Sequence, residues 1–231
     1  MQPLLIVGSD TGVGKTVLTS SLAAYQQIYR SDSSLAIYKP VQSGVGDREY
    51  FHSTFKLTQS LEEITPIFFT TPIAPAIAMF RENKPLDLGL IWQHFQTLQN
   101  KYDRVLVEAL GGLGSPITYE YTVADLAKDW HIETVLVVSL KLGAIAQAVA
   151  NVALARMYKI KLRGIVLSCS NPNSDPDTNL ENNIEDFAPV DLIQALTSIP
   201  VLGVLPYISD LSNIQELASA ASNLDLETLG I

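Results

Sequence analysis

Cysteine, histidine, basic charge and long apolar runs are all scarce in this chain of 231 residues. Cys169 is the only cysteine, so no intrachain disulfide can form, and a reducing compartment fits. His52, His94 and His131 lie far apart and show no zinc-ligand spacing. Lys and Arg number 15 against 24 Asp and Glu, giving a formal net charge of -9. Such a surface repels a phosphate backbone. It argues against a nucleic-acid or anionic-membrane partner, yet leaves room for one small, locally basic site. Near the N-terminus, the apolar run 4–7 is too short for a signal-peptide core or a membrane span, so a cytoplasmic location is expected. No repeat, low-complexity tract or linker divides the chain. One domain over 1–231 is expected, long enough to bury roughly 70–75% of its unfolded surface.

What the chain does have is a regular rhythm. Short apolar runs at 4–7, 35–38, 105–107, 134–138, 165–167 and 201–205 alternate with stretches of helical period at 16–29, 88–99, 144–157, 189–197 and 213–221. Continuous rather than alternating apolar character belongs to parallel strands covered on both faces. The alternation predicts an α/β fold, a doubly wound, mostly parallel β-sheet flanked by helices, with its ligand at the carboxyl ends of the strands. Two segments break the rhythm. Residues 42–85, with Pro66, Pro72 and Pro75, read as a long loop or lid, and 170–186, rich in Asn, Asp and Pro, read as a solvated acidic loop.

The first strand runs directly into Gly8-Ser9-Asp10-Thr11-Gly12-Val13-Gly14-Lys15-Thr16, and a helix follows. Strand, glycine loop and helix form a phosphate cradle. Backbone N–H groups of Gly12, Val13, Gly14 and Val17 face the phosphates, Lys15 reaches the β/γ-phosphates, and the Thr16 hydroxyl takes Mg²⁺. The strict G-x-x-x-x-G-K-[ST] spacing fails at Ser9, with the nearest glycine at Gly8. Two further strand ends converge on the same crevice. The run 105–107 leads to Glu108 and then Ala109-Leu110-Gly111-Gly112, placing a carboxylate where a second acid holds Mg²⁺ or its water. The run 35–38 leads to Lys39, which a parallel sheet turns toward the ligand rather than solvent. A single-domain P-loop fold is the expectation.

Together, G-S-D-T-G-V-G-K-T (8–16), Y-K-P-V-Q-S-G (38–44), V-L-V-E-A-L-G-G (105–112) and V-V-S-L-K-L-G (137–143) resemble dethiobiotin synthetase over nearly the whole chain. The resemblance implies a homodimeric, ATP-dependent ligase of biotin synthesis. Its substrates would be 7,8-diaminononanoate, CO₂ or bicarbonate, and ATP, with Mg²⁺ as cofactor and dethiobiotin, ADP and phosphate as products. It further implies that Lys39 is the catalytic lysine, that Lys15 binds the β/γ-phosphates, and that Ser43 and Thr11 contact the diamine. Thr16, Glu108 and one acid of Gly46-Asp47-Arg48-Glu49 would hold the metal. Asp47 and Glu49 both remain open for that position, with a lean to Asp47.

The remaining nucleotide contacts would come from Ala109, Leu110, Gly111, Ser168, Cys169 and the segment Pro206-Tyr207-Ile208. Two departures from the family pattern stand out. Ala109-Leu110 replaces a Gly-Ala pair, and Ser168-Cys169 stands where many relatives present an Asn to the base. A lone hydroxyl cannot reproduce the paired donor and acceptor of an amide, although Asn171 lies close by in sequence. Partitioning-type switch ATPases share the loop but carry a signature lysine where this chain has Asp10, a reversal of charge. Amidase-linked synthetases of corrin biosynthesis need a further glutaminase domain, for which too little chain follows the last strand. Cys169 itself reads as a small buried hydrophobe.

Overall fold

The fold is that of a computed structural model, which describes residues 3–170 and 180–231, with the backbone alone at 180–183. In chain order its elements are β1 (Leu4–Gly8), α1 (Lys15–Tyr29), β2 (Leu35–Tyr38), β3 (Val41–Ser43), α2 (Asp47–Thr54), α3 (Leu61–Ile64), β4 (Ile67–Phe69), α4 (Pro75–Arg81) and α5 (Leu88–Lys101). There follow β5 (Arg104–Gly112), α6 (Val123–Asp129), β6 (Glu133–Ser139), α7 (Ala144–Met157), β7 (Leu162–Ser168), α8 (Leu180–Phe187), α9 (Val190–Thr197), β8 (Val201–Leu205), α10 (Ile214–Ser222) and α11 (Leu226–Leu229).

All six expected strands join one sheet in the order β2-β5-β1-β6-β7-β8, and every pairing is parallel. The first strand therefore sits inside the sheet between β5 and β6, and the order reverses around it. That is where an open α/β sheet leaves a crevice at its carboxyl edge. Side chains alternate strictly between the two faces. Leu4, Ile6, Ile37, Leu106, Val135 and Val137 pack with α1, α2, α10 and α11, whereas Leu5, Val7, Tyr38, Val105, Val107 and Leu136 pack with α5, α6, α7 and α9. On the second face Tyr38, Phe95 and Trp130 stack, with 4.4 Å between the Phe95 and Trp130 centroids.

Three expectations need correction. Residues 42–85 are not a continuous loop: they hold β3 and β4, paired in parallel as a second small sheet, together with α2, α3 and α4. Prolines mark boundaries there, with Pro75 at the first turn of α4, where its missing N–H costs nothing. Residues 170–186 include the first turns of α8; Asn171 and the rest of 171–179 lie outside the described residues. Glu108 is not at a strand end, because β5 continues to Gly112. Its register against β1 slips between the pairs Ile6↔Glu108 and Gly8↔Gly112, so β5 bulges just beyond the acid.

Candidate active site

Parity and register assemble the site. Lys39 follows β2 and shares the parity of Ile37, while Glu108 shares that of Leu106, so both point to the face covered by α1. Tyr38 pairs with Val107, which sets Lys39 level with Glu108 on the neighbouring strand. The Lys39 ammonium lies 2.7 Å from Glu108 Oε1 and also pairs with Asp47, at the start of α2. Glu108 is 0% exposed and Lys39 6%. Burial alone would lower the pKa of Lys39; the two carboxylates outweigh it and hold the pKa above the ordinary lysine value.

The glycine loop curls over this pair. Gly12 (φ 71°) and Gly14 (φ 99°) take left-handed conformations that suit glycine, and a Cβ on Gly14 would run into the Ser168 hydroxyl. Ser9 N–H bonds the Val137 carbonyl at 2.8 Å, and its hydroxyl bonds Gln147 at 3.0 Å, tying the loop to β6 and α7. Lys15 folds back onto the Asp10 carbonyl at 3.0 Å. Its burial lowers the Lys15 pKa, against the pull of Glu108. The Asp10 carboxylate is exposed and accepts the Thr11 N–H at 2.7 Å. On α1, Thr16 Oγ1 reaches Glu108 Oε1 at 3.2 Å and Thr19 Oγ1 reaches Oε2 at 2.9 Å.

The acid pair in 46–49 divides cleanly. Asp47 turns into the cleft, to Lys39. Glu49 turns away: it accepts the Gly46 N–H at 3.0 Å and pairs with Arg48 at 2.6 Å. Partial burial of Glu49 acts upward, but these bonds prevail and bring its pKa down to about 2. Glu49 is thus a helix cap, and it is not brought to the cluster. The turn that presents Asp47 is gripped by buried Gln42, which accepts the Arg48 N–H at 2.9 Å and donates to the Gly44 carbonyl at 2.9 Å.

A cleft of about 530 Å³ opens here, lined by Thr11, Gly12, Lys15, Thr16, Lys39, Ser43, Asp47, Glu108, Ala109, Leu110 and Gly111. A second cleft of about 220 Å³ lies across the glycine loop, against Gly14, Val17, Cys169, Tyr207 and Ile208. Gly12, Lys15 and Thr16 border both clefts, so a single extended ligand can straddle the loop. Ser43 Oγ and Ser168 Oγ are buried and lack a hydrogen-bond partner among the described residues. Three of the expected nucleotide contacts sit back from these clefts. The Val13 side chain is core at 1% exposure, Pro206 serves to end β8, and the Ser168 hydroxyl packs under Gly14. Cys169 is half-buried rather than fully buried.

The sequence reading passed over Thr19, Ser115 and the wall Pro72-Ile73-Ala74-Pro75. Ser115 Oγ accepts the Gly112 N–H at 2.9 Å and packs against Gly111. For Thr19 a signal existed, since Thr16 and Thr19 stand three apart on one face of α1. Among the described residues no three His, Cys, Asp or Glu converge on a metal. Two carboxylates with one hydroxyl are nonetheless the sparse oxygen set with which a small hard cation is held beside phosphate oxygens and water.

A family model described as an AAA domain matches residues 2–215. The chain is 56% identical over 229 residues to the ATP-dependent dethiobiotin synthetase BioD of Gloeothece citriformis, covering 99% of both chains. It is 50% identical to the protein of that name from Crocosphaera subtropica, covering 99% of this chain and 100% of the other. The Gloeobacter violaceus protein of that name is 40% identical, with 100% and 96% covered. Among solved structures, the MinC:MinD cell division complex of Aquifex aeolicus matches with a TM-score of 0.61 at 13% identity, over 100% of this chain and 97% of that one. A ParA family ATPase from Chlorobium tepidum gives 0.57 at 13%, over 99% and 96%. At that identity the structural likeness speaks for the fold alone. Full-length identity to the curated relatives speaks for more, and the chain belongs to the dethiobiotin synthetase family.

Proposed function

We propose that this chain is an ATP-dependent ligase that converts 7,8-diaminononanoate, CO₂ and ATP to dethiobiotin, ADP and phosphate. The observation that carries the reading is the cluster of Lys39, Lys15, Asp47 and Glu108 beneath the glycine loop, in a chain 56% identical to an enzyme named for this synthesis. One amine of the substrate adds to CO₂ and loses a proton, giving a carbamate. The carbamate oxygen attacks the γ-phosphorus as the bond to ADP breaks. The neighbouring amine then attacks the carbamoyl carbon, phosphate departs, and the cyclic urea closes.

Negative charge gathers on the transferred group throughout, so positioning and fixed positive charge must supply most of the rate. Lys15 and the loop N–H groups hold the β/γ-phosphates. Lys39, at the wall shared with Ser43, meets the carbamate and the transferred phosphoryl oxygens. Thr11 and Ser43 orient the diamine, and the unpartnered Ser43 hydroxyl supports that role. Thr16, Asp47 and Glu108 would hold Mg²⁺, which neutralises phosphate charge when bound. Asp47 takes the position left open between two acids, because Glu49 is committed to Gly46 and Arg48. The base lies in the smaller cleft, against Cys169, Tyr207 and Ile208.

The single domain 1–231 then carries the whole reaction, in the cytoplasm. Among the described residues no helix is long and apolar enough to cross a membrane. A homodimer is supported by the exposed apolar side chains of Val149 and Met157 on α7, with Leu142 just before the helix. The test is direct. Purified protein with diamine, bicarbonate, Mg²⁺ and ATP should form dethiobiotin and ADP in equal amounts, and Lys39→Ala should abolish turnover while retaining nucleotide binding. Turnover of Lys39→Ala within about threefold of wild type, worth about 0.7 kcal/mol of barrier, would remove Lys39 from the mechanism.

A further inference from the structure

The two oxygens of Glu108 have different neighbours. Oε1 receives Lys39 and Thr16, both of which border the large cleft. Oε2 receives Thr19 Oγ1 at 2.9 Å. Thr19 is 0% exposed and lines neither cleft, so it touches neither nucleotide nor diamine. We propose that Thr19 is a positioning residue, whose hydroxyl pins Oε2 of Glu108 to α1 so that Oε1 alone faces Lys39, Thr16 and the metal. This rests on the reading of Glu108 as a metal acid.

A carboxylate turns easily about its last torsion, and an unpinned Glu108 could exchange its two oxygens. Lys39 and Thr16 cannot fix it during the reaction, because each has a ligand of its own to meet. Thr19 has none. A helical threonine ordinarily gives its proton to the carbonyl four residues back, and the Lys15 carbonyl stands 3.0 Å away. One proton serves one acceptor at a time. The buried anion at 2.9 Å is the stronger acceptor, since a charge-assisted hydrogen bond has about twice the strength of a neutral one. The branched Cβ restricts the torsion that aims the hydroxyl. Sheet parity places Glu108 on the face of β5 that α1 covers, so strand and helix meet through this contact.

Thr19→Val keeps the shape and removes the hydroxyl; Thr19→Ser keeps the hydroxyl and removes the methyl. Two quantities are read in the full-length enzyme: Mn²⁺ affinity with ADP present, from the paramagnetic resonance of free Mn²⁺, and the Mg²⁺ concentration giving half-maximal turnover. Thr19→Val should weaken both about tenfold, the low end for loss of a partner that orients a metal ligand. Thr19→Ser should stay within about twofold of wild type, since it retains the charge-assisted bond. A wild-type metal requirement in Thr19→Val, or equal impairment of Val and Ser variants, overturns the proposal. Should Thr19→Val not fold, Thr19→Ala carries the same expectation, and failure of both to fold makes Thr19 purely structural and also overturns it. Glu108→Gln separates the two readings. If it leaves Mn²⁺ affinity unchanged, the metal role of Glu108 falls; if it weakens Mn²⁺ while Thr19→Val does not, only the role of Thr19 falls.

Discussion

Lys39→Met tests how the metal-free site balances its charge. The substitution keeps the aliphatic stem and removes the counter-ion 2.7 Å from Glu108. Asp47 retains 39% side-chain exposure and can rely on water, whereas Glu108 has 0% and cannot. Breaking a buried pair from one side costs about 3–5 kcal/mol. Hydrogen bonds from Thr16 and Thr19 survive the change, and bonds to a charged group are worth about 1.5–3 kcal/mol each. They place the expected loss at the low end, about 3 kcal/mol. Urea unfolding at pH 7 in a chelator measures it directly, with the slope of the transition unchanged. Mg²⁺ should then stabilise Lys39→Met more than wild type, because no ammonium has to be displaced from the acids. Each tenfold rise of Mg²⁺ above its dissociation constant adds about 1.4 kcal/mol. Equal stability of the two proteins in chelator, within about 0.5 kcal/mol, would show that Glu108 is not an anion balanced by Lys39, and would refute the electrostatic reasoning.

Asp47→Asn should raise the Mg²⁺ requirement of turnover, whereas Glu49→Gln should leave it unchanged; a rise in the second alone reverses the assignment. Glu49 has a folded pKa of about 2 against an ordinary 4.5, so its stabilising effect is complete above pH 4.5 and disappears as pH falls through about 2. Unfolding curves of wild type and Glu49→Gln should therefore differ at pH 6 and converge toward pH 2. Gly14→Ala should destabilise the loop by about 1–3 kcal/mol from its left-handed backbone, with an added clash against Ser168. Thermal melts of Gly14→Ala with and without Ser168→Ala should recover only the clash. Ser168→Ala alone should leave the ranking of ATP, GTP and CTP as substrates unchanged, because the hydroxyl lies under Gly14 and outside the smaller cleft.

Much of this architecture was legible because local pattern and global fold agree. Six apolar runs became six parallel strands, and Gly-Lys-Thr after the first of them became the cap and first residues of α1, where the glycine loop ends. Register was not legible. Nothing in Lys39 or Glu108 by itself reveals that Tyr38 sits opposite Val107, and that pairing is what puts ammonium against carboxylate. The small sheet of β3 and β4 escaped notice because three-residue strands are too short to show a period. The start of α6 is capped by Thr122 with Asp125, but a helix of seven residues is too short to show a clear period in sequence. What sets Glu49 apart from Asp47 is a hydrogen bond from the Gly46 backbone, which depends on where the chain folds rather than on residue type.

The central claim is that phosphoryl transfer in this cleft serves ring closure of a diamine. Phosphate release by the purified protein with ATP, Mg²⁺ and bicarbonate, measured with and without 7,8-diaminononanoate, tests it most directly. Release should require the diamine and match the dethiobiotin formed mole for mole. Equal release in its absence would contradict the account and identify a nucleotide switch built on the same fold.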